Sequence, residues 1–122
     1  MSIHESGENY LEQILMLSRQ QEKVRAIDLC TALGFSRPTV SVMLRELRES
    51  GFVCTAENGG LALTEAGRAV ADRMYERHCV ITQALMALGV SRKAAQEDAC
   101  KIEHDISDET FQKIREFLEK AK

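Results

Sequence analysis

The chain has 122 residues, room for one domain or for two small subdomains sharing a core. Its 44% hydrophobic content sets it apart from disordered chains, and no apolar run approaches the ~18 residues of a membrane span. The net charge of −3 conceals an asymmetry: residues 19–48 hold six basic and three acidic side chains, and residues 97–109 hold six acidic and one basic, so one region attracts polyanions and the other cations.

The first stretch, MSIHESGENYLEQ, lacks a basic segment followed by an apolar one, so a cytoplasmic protein with no membrane partner is expected. Ser6 is the expected cap of a first helix, on which Tyr10, Ile14 and Leu17 recur at i, i+4 and i+7, with Asn9 and Glu12 off that stripe. AIDLCTALGF predicts a short helix with Ile27, Leu29, Cys30 and Leu33 inward, stopped by Gly34. A third helix begins three residues later: Ser36 is a good cap, Pro38 falls in the first turn, and Val40, Leu44 and Leu47 face the core. FVCTA and LALT around ENGG predict a hairpin. Two helices joined by a short glycine-containing turn and followed by a hairpin form a winged helix-turn-helix. Thr64 then caps a long helix ending near Gly89, along which Met74, His78, Ile81, Leu85 and Leu88 form a heptad-like seam in need of a partner. Ser91 caps a helix striped by Ala95, Ala99, Ile102 and Ile106, and Ser107 caps a last one with Phe111, Ile114 and Leu118 inward. The fold class expected is mainly α.

Two sets of residues carry chemistry. The helix SRPTVSVMLRELRESG should enter the major groove of double-stranded DNA, presenting Arg37, Pro38, Thr39, Ser41 and Val42 to the bases while Arg45 and Arg48 meet phosphates. The competing reading is a protein-interaction helix with a solvated basic face. In CKIEHD, Cys100, Glu103 and His104 stand at i, i+3 and i+4, one face of a helix. Each alone has a bland reading as core filling or a surface pair, and His78 alone as a hydrogen-bonded core histidine. With Glu12 they form a donor set on three helices, and imidazole, carboxylate and thiolate together suit a divalent transition metal better than calcium or magnesium. Of the four cysteines, at 30, 54, 79 and 100, none lies in a C-x-x-C pair, so reduced thiols are expected, with Cys30 and Cys54 in the core. No nucleophile elbow, phosphate loop or dinucleotide fingerprint is present, so an enzyme is not expected.

The stretches ENYLEQILML, RPTVSVMLRELRESGFV, LALTEAGRAVADRMYERH and DACKIEHDISDE together resemble the DtxR/MntR family of iron- and manganese-dependent repressors over nearly the full length. The resemblance implies a winged helix-turn-helix over residues 1–64 and a helical dimerisation and metal-binding part over residues 65–122. It implies a homodimer that binds operator DNA when loaded with Mn2+ or Fe2+. Glu12, His78, Cys100, Glu103 and His104 fall on metal-binding places, and Asn9 on that of a first-helix ligand that is Met or Asp in the family. Cys100 is similar to the iron-responsive branch, Glu12 with His78 to the manganese-responsive one. The chain stops where longer members continue into an SH3-like domain, a manganese-type architecture. Thr82 and Gln96 replace residues of the second site of iron-type members. Cys100 with the uncharged Asn9 makes zinc or cobalt binding plausible in vitro. The alternative is a winged-helix regulator that has lost metal dependence.

Overall fold

A computed structural model of the chain describes residues 5–121. In order these form α1 (Glu5–Ser18), α2 (Ala26–Leu33), α3 (Arg37–Glu49), β1 (Val53–Thr55), β2 (Leu61–Leu63), α4 (Glu65–Ala87), α5 (Arg92–Ile102) and α6 (Asp108–Lys120). They group into two compact units, with the division after Asp72 inside α4. None of the described helices is long and apolar enough to cross a membrane.

In the first unit α1 begins earlier than its expected cap. Ser6 lies within the first turn, where Glu5 and Glu8 place carboxylates at the positive end of the helix dipole. Tyr10, Leu11, Ile14 and Leu15 are buried, and the Tyr10 ring stacks on Phe35 in the turn between α2 and α3. That turn is tight because Gly34 adopts φ 74°, a left-handed conformation that glycine takes without a Cβ penalty. Ile27, expected inward on α2, is exposed, because the eight-residue helix turns only Leu29 and Cys30 fully into the core.

The cap of α3 is Ser36, whose Oγ accepts from the Thr39 amide, and Pro38 sits where its missing N–H costs nothing. Val40, Leu44 and Leu47 are buried as their spacing requires. The hairpin pairs Val53 with Leu63, Cys54 with Ala62 and Thr55 with Leu61. Its side chains alternate, so burying Val53 turns Cys54 outward, and the expectation of a core Cys54 is corrected. The wing is tied back by the Leu61 amide donating to the Val24 carbonyl at 2.8 Å and by Asn58 Nδ2 donating to the Glu22 carbonyl at 3.0 Å. Thr64 caps α4: its Oγ1 accepts from the Gly67 amide at 3.1 Å and donates to the Gly51 carbonyl at 2.6 Å.

In the second unit Met74, Ile81, Ala95, Ala99 and Phe111 are buried. Ser91 and Ser107 cap α5 and α6 by accepting from the Ala94 and Thr110 amides. The expected run of α5 through Ile106 is corrected: the helix ends at Ile102 with Glu103 as its C-cap. Glu76 of α4 pairs with Arg115 of α6, whose guanidinium lies 4.9 Å from the Phe111 ring centre.

Candidate metal centre and nucleic-acid interface

The early end of α5 changes how CKIEHD is presented. Cys100 lies in the last turn of the helix, Glu103 at its cap and His104 in the turn beyond, so the three do not share one continuous helical face. His78 of α4 comes to this end of α5 and stands between two of them: its Nδ1 is 3.7 Å from Cys100 Sγ and 3.2 Å from Glu103 Oε2. One ligand atom from each of His78, Cys100 and Glu103 lies within 4.8 Å of the others. On the other side of the carboxylate, His104 Nε2 is 3.4 Å from Glu103 Oε1.

Glu103 is 0% exposed, yet neither of its carboxylate oxygens has an aligned hydrogen bond. His78 Nδ1 and His104 Nε2 stand 3.2 and 3.4 Å from its two oxygens. A buried carboxylate in that condition is costly unless a cation offsets it. In the metal-free fold a proton on His78 is that cation. Its pKa is pushed up to about 10, first by the hydrogen bond to Cys100 and then by the neighbouring Glu103, against an opposing effect of burial. The arrangement therefore attracts positive charge, and it offers sulfur, nitrogen and oxygen donors in the combination that suits a first-row transition metal. Glu12 is buried on α1 and Asn9 half-buried on the same helix, both in the first unit.

The second face is built on α3. Arg37, Pro38, Thr39, Ser41, Val42, Arg45 and Arg48 are all exposed, outside the buried stripe of Val40, Leu44 and Leu47. Arg37, Ser41 and Arg45 repeat every four residues and, with Arg48, line a shallow concavity of about 300 Å³. The Thr39 hydroxyl is 2.9 Å from that of Ser36, so it belongs to the cap as well as to the surface. Arg48 Nη1 donates to Thr55 Oγ1 at 2.7 Å, joining the end of α3 to the wing.

Two participants escape a reading of spacing. Thr55 is one, and a basic residue on α3 followed seven residues later by a hydroxyl in the first wing strand is the only signal that marks it. Arg77 is the other. It is 5% exposed inside the second unit, where Nη1 donates to the Glu103 carbonyl at 3.0 Å and to the Ile106 carbonyl at 2.8 Å, while Nη2 pairs with the Asp108 carboxylate. Its sequence signal is slight: a cation adjacent to His78.

A winged helix-turn-helix with a basic, exposed third helix, joined to a helical part that gathers metal-type donors, defines a DNA-binding regulator of the metal-sensing class. The chain belongs to the iron-dependent repressor family, whose N-terminal DNA binding domain matches residues 2–61 and whose metal binding and dimerisation domain matches residues 64–122. It is 36% identical over 113 residues to the transcriptional regulator MntR of Escherichia coli, covering 93% of this chain and 73% of that protein. It is 32% identical over 120 residues to an uncharacterized HTH-type transcriptional regulator of Methanocaldococcus jannaschii, covering 97% and 96% of the two. A solved manganese-dependent transcriptional repressor in complex with manganese superposes with a TM-score of 0.85 at 31% identity, covering 92% of this chain and 52% of that one. The manganese regulator SloR gives 0.83 at 29% identity, covering 98% and 55%. The chain thus spans about half the length of these solved structures.

Proposed function

We propose that the chain is a metal-responsive transcriptional repressor that binds double-stranded operator DNA as a homodimer when loaded with a divalent transition metal. The observation that carries this reading is Glu103: a carboxylate with no exposure and no aligned hydrogen bond, facing His78 and Cys100, in a chain whose third helix exposes four cations or hydroxyls along one stripe. His78, Cys100, Glu103 and His104, all in the second unit, would hold the ion. The ion supplies one service, a charge that draws these donors into a single arrangement.

The rest is done by the chain. Cys100 and His78 lose their protons to serve as donors. Arg45 and Arg48 engage phosphates and fix the register of α3, from which Arg37, Thr39, Ser41 and Val42 read base edges. DNA binding responds to the ion only if the DNA-competent arrangement holds it more tightly than the other. Manganese and iron(II) are the physiological candidates, supported by the names of the relatives and by the mixed donor set. A second copy of the chain covers the apolar groove of the second unit, supported by the exposure of Leu88 and Phe117 on its rim. Operator binding by chelator-treated protein, measured before and after addition of manganese or iron(II), tests the reading. Metal is expected to tighten it by at least tenfold; equal binding in chelator would leave a metal-independent winged-helix regulator instead.

A further inference from the structure

We infer that Arg77 is a positioning residue for the metal centre, an inference that rests on the metal-responsive reading above. Its guanidinium fork reaches three acceptors, the carbonyls of Glu103 and Ile106 in the connection between α5 and α6 and the carboxylate of Asp108, the first residue of α6. The same guanidinium lies 5.4 Å from the Phe111 ring centre. A buried cation is expensive to keep unless it is paired, and here Nε has no hydrogen-bond partner at all, so packing alone gives no reason to prefer arginine over an apolar side chain.

What the fork does is define the turn. α5 ends at Ile102, leaving carbonyls at its C-terminus without helical partners, and α6 does not start until Asp108. Glu103 and His104 both hang from the backbone between these helices, one with a buried carboxylate and the other with an imidazole 3.4 Å from it. Fixing the carbonyls of residues 103 and 106 to one planar group fixes the path that aims both side chains. Arg77 also precedes His78 on α4, so a single turn of that helix carries an imidazole donor and the clamp on two further donors, Glu103 and His104. Any displacement of α4 moves them together. A lysine ammonium keeps the charge but not the planar fork that spans three acceptors. Asp108 neutralises the guanidinium, which would otherwise repel a cation bound nearby.

The test uses the full chain with Arg77→Lys and Asp108→Asn, neither of which removes a proposed ligand. Each is titrated with Mn2+ and Co2+ after chelator treatment, with circular dichroism confirming the fold at the titration temperature. Loss of a group that orients metal ligands commonly weakens binding about 10- to 100-fold. That range is expected for Arg77→Lys, with a few-fold weakening for Asp108→Asn and, in both, a shifted visible spectrum of bound Co2+ that reports altered coordination. A folded Arg77→Lys chain with a lower thermal midpoint but unchanged affinity and Co2+ spectrum would show that the fork is only structural and overturn the inference. Should Arg77→Lys fail to fold, Asp108→Asn decides by the same two readings. His78→Ala serves as control: an unmodified chain that takes up neither ion, like this control, would sink the metal-responsive reading itself, an outcome distinct from normal uptake by all but His78→Ala.

Discussion

His78 shows at the scale of one side chain how a metal-type cluster behaves without metal. The unfolded chain gives its imidazole the ordinary pKa of 6.5, and the fold pushes it up to about 10 through Cys100 and Glu103. A proton held more tightly in the folded state stabilises that state. The contribution is complete below about pH 6.5 and is lost as pH rises towards 10. Chelator-treated protein should therefore lose stability to urea across this window by more than His78→Gln does; parallel curves would contradict the assignment. The same proton opposes metal, so affinity should fall in acid by about tenfold per pH unit for each proton displaced, measurable by titration at pH 6 and pH 8. A second residue-scale expectation concerns Gly67, where an added Cβ would lie 2.0 Å from the Phe52 carbonyl oxygen. Neither backbone can yield easily, since Thr64 holds Gly67 by its amide and the Thr64 amide donates to that same Phe52 oxygen at 3.1 Å. Gly67→Ala should cost about 2 kcal/mol or more in equilibrium unfolding.

At the scale of elements, α3 is the part of the molecule whose sequence says most. Its serine cap, its proline and its three buried positions all follow from local chemistry, and each stands where the spacing puts it. Ser36→Ala should cost about 1 kcal/mol. Charge reversal of Arg45 and Arg48 should weaken binding to every DNA sequence and lower the salt dependence of log K by roughly 0.9 for each phosphate no longer neutralised; Ser41→Ala should instead alter sequence preference at its own base pair. Unchanged salt dependence would remove these arginines from the interface. α5 is the counter-example. Ala95, Ala99, Ile102 and Ile106 keep an apolar period past the true end of the helix, where the Glu103 carbonyl accepts from Arg77, 26 residues away. Nothing local to CKIEHD reports that partner. His78, Cys100 and Glu103 could be named as candidate donors from residue type and spacing, but their approach to within 4.8 Å of one another brings α4 to the end of α5, a long-range contact that local spacing does not report. Cys54 was legible in principle, since strand alternation with Val53 inward requires it to face out.

At the scale of the molecule the question is what the second unit lacks. α4, α6 and Ile102 line an apolar groove of about 690 Å³ that includes Ile81, Leu85, Leu88, Ile114, Phe117 and Leu118. Leu88 is 77% exposed and Phe117 72% exposed, large side chains that a stable soluble unit has no internal reason to leave in water. A two-fold operator demands a two-fold protein, and an isologous interface uses the same surface of both copies, so each side chain in it acts twice. Leu88→Glu combined with Phe117→Asp should leave the single chain folded, because neither side chain is part of its core. Burying a leucine or phenylalanine is worth about 1.5–3 kcal/mol, so even one such side chain, present in both copies, weakens dimerisation by about a hundredfold or more when it is replaced. Sedimentation velocity at micromolar concentration should then show a dimer for the unmodified protein and a monomer for the variant. Metal titration separates this from unfolding: His78, Cys100 and Glu103 come from one chain, so the monomeric variant should still take up Co2+ while its operator affinity drops. A variant that sediments as the unmodified dimer would place the interface elsewhere.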